Sequence, residues 1–397
     1  MNEIMLKLKT DCGHRCRRPL TLTFTLLLAG FSAIAQNQPS SEKALSNRSL
    51  LSPRAQALVN QTWTNTSFAE GIAVLADRNE TKESRALAME VLQANRRKFN
   101  STEMSQLLNE TTAVAKDKTA DETLSAEAVR TMGNVALTMK ELSEISDAES
   151  KKETPFLMEA ATNAQGSLQF QASVINTLGI LDITESSPLL HSILEDNTNM
   201  NVPEISRPAC LSLMRVDGER AIPTLRRVLQ KTTDSGVFGT AAFAIGQIKK
   251  PDSLVALVEN QERFENSGSC DAVLVDMEDI ILDVLKKPND PNLEYAIRGT
   301  RHLWRDGQKE RYMPLLKSLI TTAPMATRKT AIERYLEAAG QMNFFAEKLM
   351  LADVQSAVVS QPELAEYAKR IKNRLSAVLL APTSGLQQMP TSKKAGN

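Results

Sequence analysis

Histidine is almost missing from this chain, with three residues in 397, and cysteine is little better represented, with four. General acid–base catalysis and metal ligation draw heavily on these side chains, so their scarcity narrows both. The sequence also has no H-E-x-x-H, no G-x-S-x-G and no phosphate-binding G-x-x-x-x-G-K. Aromatic residues make up only 4%, with two Trp and four Tyr. Strands of a β-sandwich favour aromatic and β-branched side chains, so a core of Leu, Ile, Val, Ala and Met points to packed helices. Lys+Arg and Asp+Glu are both 47, which removes the basic field that nucleic-acid binding needs. At 42% hydrophobic, the chain has the apolar surface for a core, and wholesale disorder is excluded.

Residues 1–35 read as a secretory signal peptide. Lys7, Lys9, Arg15, Arg17 and Arg18 precede the run PLTLTFTLLLAGFSAIA, which ends in the small-residue site Ala33-Ile34-Ala35. That run is short beside the ~20 residues of a membrane span, and Thr and Gly dilute it. No Cys follows it, which speaks against a lipoprotein anchor. The expectation is an exported protein, periplasmic or secreted, with no integral membrane segment in the mature chain. Cleavage removes five basic and two acidic residues, and leaves Cys210, Cys270, His191 and His302.

What is present is a repeat. The phrases ASVINTLGILDITESSPLLHSIL at 172–194, PACLSLMRVDGERAIPTLRRVL at 208–229 and TAAFAIGQIKKPDSLVALV at 240–258 align on Gly179, Met214 and Gly246. Five and four residues before each centre stand Val174 and Ile175, Ala209 and Cys210, Ala241 and Ala242; Leu178, Leu213 and Ile245 stand just before it. These offsets share one helical face, and small residues recur where two helices approach closely. Ala128, Val129, Met132, Gly133 and Val135 fit the same template. A second amphipathic helix follows each time, with Pro188, Pro223 or Pro251 at its start, and Ser187-Pro188 reads as a cap with proline at the first helical position. Helix pairs recurring every 30 to 45 residues or so are the mark of an α-solenoid. The segments NVPEI at 201–205 and NSGS at 266–269 read as loops between repeats.

The pattern resembles HEAT repeats of the short bacterial kind, A-x-x-A-L-G-x-L followed by a proline-led second helix, most clearly over 125–260. The resemblance implies an all-α solenoid over 54–380, a right-handed superhelix of stacked helix pairs. The signal peptide (1–35) and a flexible leader (36–53) precede it, and a disordered tail (381–397) follows. Cys210 takes a small packing slot and Cys270 lies about two repeats on, too far for a disulfide, so both are expected as free thiols. VDMEDIILDVLKKP departs from the template, because Glu278 and Asp279 fall where small apolar residues belong.

Some proteins of this architecture are enzymes. Deoxyhypusine hydroxylases hold two irons through His-Glu pairs, but here His191 precedes Ser192 and His302 precedes Leu303. Phycobilin lyases share the fold and work in the cytoplasm, which export opposes; HEAT-like DNA repair proteins need a basic groove, which the charge balance opposes. Asp271, Asp276, Glu278, Asp279 and Asp283 form an acidic group in which Asp276, Asp279 and Asp283 fall on one helical face. Such oxygens suit a hard cation, yet the loop and glycine of calcium sites are lacking, and a solvated face is the plainer reading. The segment RGTRHLWRDGQKER at 298–311 is the candidate binding surface, with Arg298, Arg301, Trp304, Arg305 and Arg311. Arg301, Trp304 and Arg305 would share a helical face, and Trp with Arg is the composition of binding hot spots. The plainer alternative buries Trp304 between repeats and pairs the arginines with the neighbouring acidic helix. Lys249-Lys250 and Lys286-Lys287 are expected as solvated turns along one edge.

The resulting expectation is a non-catalytic scaffold or adaptor for a protein partner, with no metal, cofactor or nucleic acid. The alternative is an enzyme or enzyme subunit that binds a small ligand or metal on the solenoid surface.

Overall fold

The computed structural model describes residues 50–59, 65–162, 167–263, 269–303, 305–339, 344–359 and 361–380. The expected signal peptide and tail, and the leader as far as residue 49, lie outside these residues. The described residues hold α- and 3-10 helices and no strand. The chain divides into two compact units, one up to Thr111 and one from Thr112.

The first unit contains α1 (Pro53–Val59), α2 (Asn65–Ala76), α3 (Lys82–Asn95) and most of α4 (Ser101–Lys116). Residues 50–52, assigned above to the flexible leader, belong to it. Leu51 is buried, the Thr81 hydroxyl donates to the Leu50 carbonyl at 2.9 Å, and the Ser52 N–H donates to Ser84 Oγ at 2.9 Å. Thr81 also caps α3, its hydroxyl accepting from the Ser84 N–H.

The second unit runs through α5 (Glu122–Glu141), α6 (Asp147–Ser150), α7 (Thr154–Thr162), α8 (Leu168–Ile180), α9 (Ser187–Glu195), α10 (Pro203–Asp217), α11 (Ile222–Lys231), α12 (Ser235–Ile248) and α13 (Pro251–Asn260). It continues with α14 (Ser269–Asp276), α15 (Glu278–Leu285), α16 (Leu293–Gly299), α17 (Asp306–Thr322), α18 (Met325–Ala339), α19 (Phe344–Val359) and α20 (Ala365–Leu380). A first layer stacks in the order α5, α8, α10, α12, α14; a second layer stacks α9, α11, α13, α16, α18. The pairs α17–α18 and α19–α20 continue the array.

The face read from the sequence is the buried one. Val174, Ile175 and Leu178 on α8, Ala209, Cys210 and Leu213 on α10, and Ala241, Ala242 and Ile245 on α12 are all closed to solvent. Leu190, Ile193 and Leu194, Leu225, Val228 and Leu229, and Leu254, Leu257 and Val258 bury the matching faces of the second layer. Cys210 and Cys270 are buried free thiols, and desolvation pushes each up to about 12.

The central positions of α5, α8 and α12 face the next helix, and on α8 and α10 the residue two places before the centre faces the previous one. A Cβ on Gly133 would stand 2.7 Å from Thr177 Cγ2, and one on Gly179 would stand 2.5 Å from the Ser212 Cα. The Thr177 hydroxyl donates to the Val129 carbonyl (3.3 Å) and the Ser212 hydroxyl to the Ile175 carbonyl (2.8 Å). Each accepting carbonyl lies four residues before the glycine, so glycine, hydroxyl and carbonyl form one repeated contact. At the next step Met214 holds the glycine position and Ala244 the hydroxyl position; at the following one Gly246 receives the apolar Val273. Helices α5, α8, α10 and α12 are each followed by a residue of positive φ, Ser143, Asp182, Gly218 and Lys249, of which only one is glycine.

Two sequence readings change here. NVPEI is no loop: Pro203 opens α10, where its missing N–H costs nothing, and Ile205 is buried in the first turn. Of NSGS, Ser269 opens α14 and the rest lies outside the described residues.

Gly179→Ala decides whether the contact carries weight. In an open helix the change stabilises by up to about 1 kcal/mol. Here the new methyl meets backbone, which cannot swing aside, so thermal melting should show a net loss of about 1–3 kcal/mol. Gly307→Ala, in open space on α17, is the control and should melt no lower than wild type.

Candidate functional site

The arginine segment begins on α16 and does not stay helical. Helix α16 stops at Gly299, a 3-10 turn covers Thr300–His302, and Arg305 stands in extended geometry as the N-cap of α17. Arg301 and Arg305 therefore share no helical face, contrary to the sequence expectation; Trp304 lies outside the described residues. The turn is made by Thr300, which is buried, with its hydroxyl donating to the Ile297 carbonyl at 2.7 Å. Arg334 of α18 then locks it, donating from Nε to Thr300 Oγ1 (2.8 Å) and from Nη2 to the Thr300 carbonyl (2.9 Å). This guanidinium is itself buried, lies 5.8 Å from the Tyr312 ring centre and pairs with Glu337. In RKTAIERYLEAAG it reads as a surface residue, and no local signal marks its role.

The four described residues of the predicted five separate. Arg311 reaches back to α15, with Glu278 at 2.7 Å and Asp279 at 3.4 Å, and Gln308 donates to the same Glu278 at 3.1 Å. The arginine–acidic-helix pairing weighed in the sequence is thus realised at this residue. Arg301 is exposed and pairs loosely with Glu337 at 3.7 Å. Arg298 and Arg305 are exposed, and Arg298 has no ion-pair partner among the described residues.

Beside Arg301 opens a cleft of about 630 Å³ lined by Gln261, Glu262, Asp271, Ala272, Val275, Arg301 and His302. His302 is largely buried at its wall, with Nε2 2.9 Å from Gln261 Oε1 and Nδ1 3.3 Å from Asp271 Oδ1. Burial pushes its pKa down; Asp271 opposes this, while Arg301 and Arg334 add to it.

The acidic group is not one helical face. The helix breaks at buried Met277, so Asp276 ends α14 while Glu278 and Asp279 open α15, where the helix dipole favours them. Asp283 pairs with Lys286 at 2.9 Å, and Lys250 pairs with Glu219 at 3.2 Å. Among the described residues, no three His, Cys, Asp or Glu side chains converge as metal ligands.

A polar cluster that sequence reading missed lies between α9 and the α10–α11 turn. Asp217, almost wholly buried, receives the Ser187 hydroxyl at Oδ2 (2.6 Å), His191 Nε2 at the same oxygen (2.8 Å) and Arg220 Nη2 at Oδ1 (3.1 Å). His191 Nδ1 faces Thr224 Oγ1 at 2.7 Å. These are the residue types of a hydrolase triad in the wrong order, because serine and histidine both contact the aspartate and the serine is not presented to the histidine. Ser187, read above as a helix cap, is already inside α9 and spends its hydroxyl on Asp217. Burial alone would raise the Asp217 pKa, but the bonds from Ser187 and His191 and the Arg220 charge outweigh it and hold it below the usual carboxylate value of 3.8. A depressed folded pKa adds stability that is present above pH ~4 and lost as pH falls through the folded value. Asp217→Asn should therefore cost about 1–3 kcal/mol at pH 7 in urea unfolding. Its gap to wild type should close on acidification below pH ~4, and a gap independent of pH would show that the charge contributes nothing.

No family model matches this chain, and no curated protein matches it. Among solved structures, the chain is similar to the complex of CpcE and CpcF of phycocyanin lyase from Nostoc sp., at 15% identity and a TM-score of 0.36, over 80% of this chain and 96% of that chain. The all-α, stacked-pair assignment rests on the helix order and contacts described above.

Proposed function

We propose that this chain is an exported adaptor of the HEAT-repeat kind, which holds a protein partner and carries out no chemistry of its own. The observation that carries this reading is the exposure of Arg298, Arg301 and Arg305 within eight residues, where the chain passes from α16 to α17. Arginine presented on a rigid helical frame is a typical anchor for protein contacts. The turn that presents these residues is built at a cost, with a buried guanidinium, Arg334, holding it in place.

The use of the reactive side chains supports the non-catalytic half of the reading. Among the described residues, both thiols are buried and far from thiolate, and both histidines are held between two hydrogen-bonding neighbours. Export rests on the expectation for residues 1–35. Among the described residues, no helix is long and apolar enough to cross a membrane.

A second reading, binding of a small ligand or metal, is favoured by the cleft beside His302 and Asp271. One experiment divides the two. The protein purified from the exported fraction is used as bait beside an Arg301→Ala, Arg305→Ala variant that keeps its circular dichroism spectrum. The adaptor reading expects a partner held by the wild type and lost by the variant. No specific partner, together with a melting midpoint that climbs with added divalent metal, would contradict it and support the second reading.

A further inference from the structure

Two second-layer helices carry nearly the same phrase, two helix pairs apart: Glu294-Tyr295-Ala296-Ile297-Arg298 on α16 and Glu366-Tyr367-Ala368-Lys369-Arg370 on α20. In both copies the tyrosine ring is half-buried against the core. In both, its hydroxyl donates at 3.0 Å to a glutamate on the preceding second helix, Tyr295 to Glu259 and Tyr367 to Glu333. The shared contact fixes each ring, and in both copies an arginine follows the tyrosine by three residues, about one helical turn.

The copies differ in what the arginine finds. Arg370 lies over the Tyr367 ring, 5.5 Å from its centre, and reaches Glu333 at 3.9 Å. The chain thus supplies its own carboxylate to that tyrosine–arginine pair. On α16 the equivalent carboxylate, Glu259, is engaged from the other side by Arg226 of α11. Arg298 is left exposed, with no ion pair or ring contact among the described residues. The two copies amount to the same station, one filled from within and one open.

We propose that Tyr295 and Arg298 form a docking station for a carboxylate side chain, supplied by an acidic, extended segment of a partner protein lying across the second-helix layer. The proposal rests on the adaptor reading and adds the chemistry of the partner. Charge complementarity selects the occupant: Glu259 is already satisfied by Arg226 and Tyr295, so the guanidinium of Arg298 is the unmatched charge of the station. A planar guanidinium takes a carboxylate in two parallel bonds, and the half-buried ring of Tyr295, one helical turn away, offers apolar surface to the stem of the incoming side chain.

The test uses the full-length protein and a printed array of random 12-residue peptides, followed by fluorescence anisotropy on the strongest binder. The expected result is a bound pool enriched in Asp and Glu, an affinity that falls with added salt, and a loss of at least tenfold in Arg298→Gln. Arg298→Lys should recover part of the loss, and Arg370→Gln should stay within about twofold of wild type. Because Arg298 is exposed, these variants should keep the wild-type melting midpoint. Bound peptides without acidic enrichment, or equal binding by Arg298→Gln, would overturn the proposal. If that variant also keeps a partner that the Arg301→Ala, Arg305→Ala variant loses, the carboxylate station fails while the adaptor reading stands. If the wild type captures neither peptide nor partner, both fail.

Discussion

The structure depends on how closely the first-layer helices can approach one another. At Gly133 and Gly179 the neighbouring helix comes so near that its hydroxyl residue occupies the space a Cβ would need. Only at that distance can Thr177 and Ser212 reach the carbonyls of Val129 and Ile175 in the adjacent helix. A buried hydroxyl without a partner is costly, so the contact disfavours any sliding of one helix along the other. Glycine admits the neighbour and the hydroxyl sets its register. The apolar faces above and below then close with Leu, Ile and Val, each pair covering the surface its neighbour cannot bury alone.

Regular stacking of the first layer places the second layer in register as well, and this makes the outer surface readable. Glu259 meets Arg226 and Tyr295 on the helices either side of it, and Glu333, two helix pairs further on, meets Tyr367 and Arg370. The surface of interest lies where the regularity fails. A helix that should run through Met277 is broken into α14 and α15, and α16 stops at Gly299, where a Cβ would stand 3.2 Å from Leu254 and 3.3 Å from Ile281. The chain then turns through Thr300 under the grip of Arg334, beside the cleft lined by Arg301 and His302.

The repeat was legible because its residues obey a helical period and its slots tolerate only small side chains. Ala241, Ala242, Cys210 and Gly179 are all buried as the pattern requires. The candidate site was legible only in part. Composition marked the segment 298–311, but a continuous helical face for Arg301 and Arg305 was a local inference, and a contact from α18 overrides it. Arg334 looks like any charged helix residue until the fold carries it to Thr300. Ser187 shows the same limit: its position before a proline signals a cap, while its real partner, Asp217, is one repeat away. Acidic residues at 278 and 279 were visible as a departure from the template, and the structure explains them as the first turn of a new helix facing Arg311.

Native-state hydrogen exchange, resolved to single helices by mass spectrometry, tests the central claim most directly. If the glycine–hydroxyl contacts hold the array together, the amides of α5, α8 and α10 should exchange most slowly and open as one unit, ahead in protection of α9 and α11. Slowest exchange in the second layer, with the first layer opening as readily as the turns between helices, would contradict it.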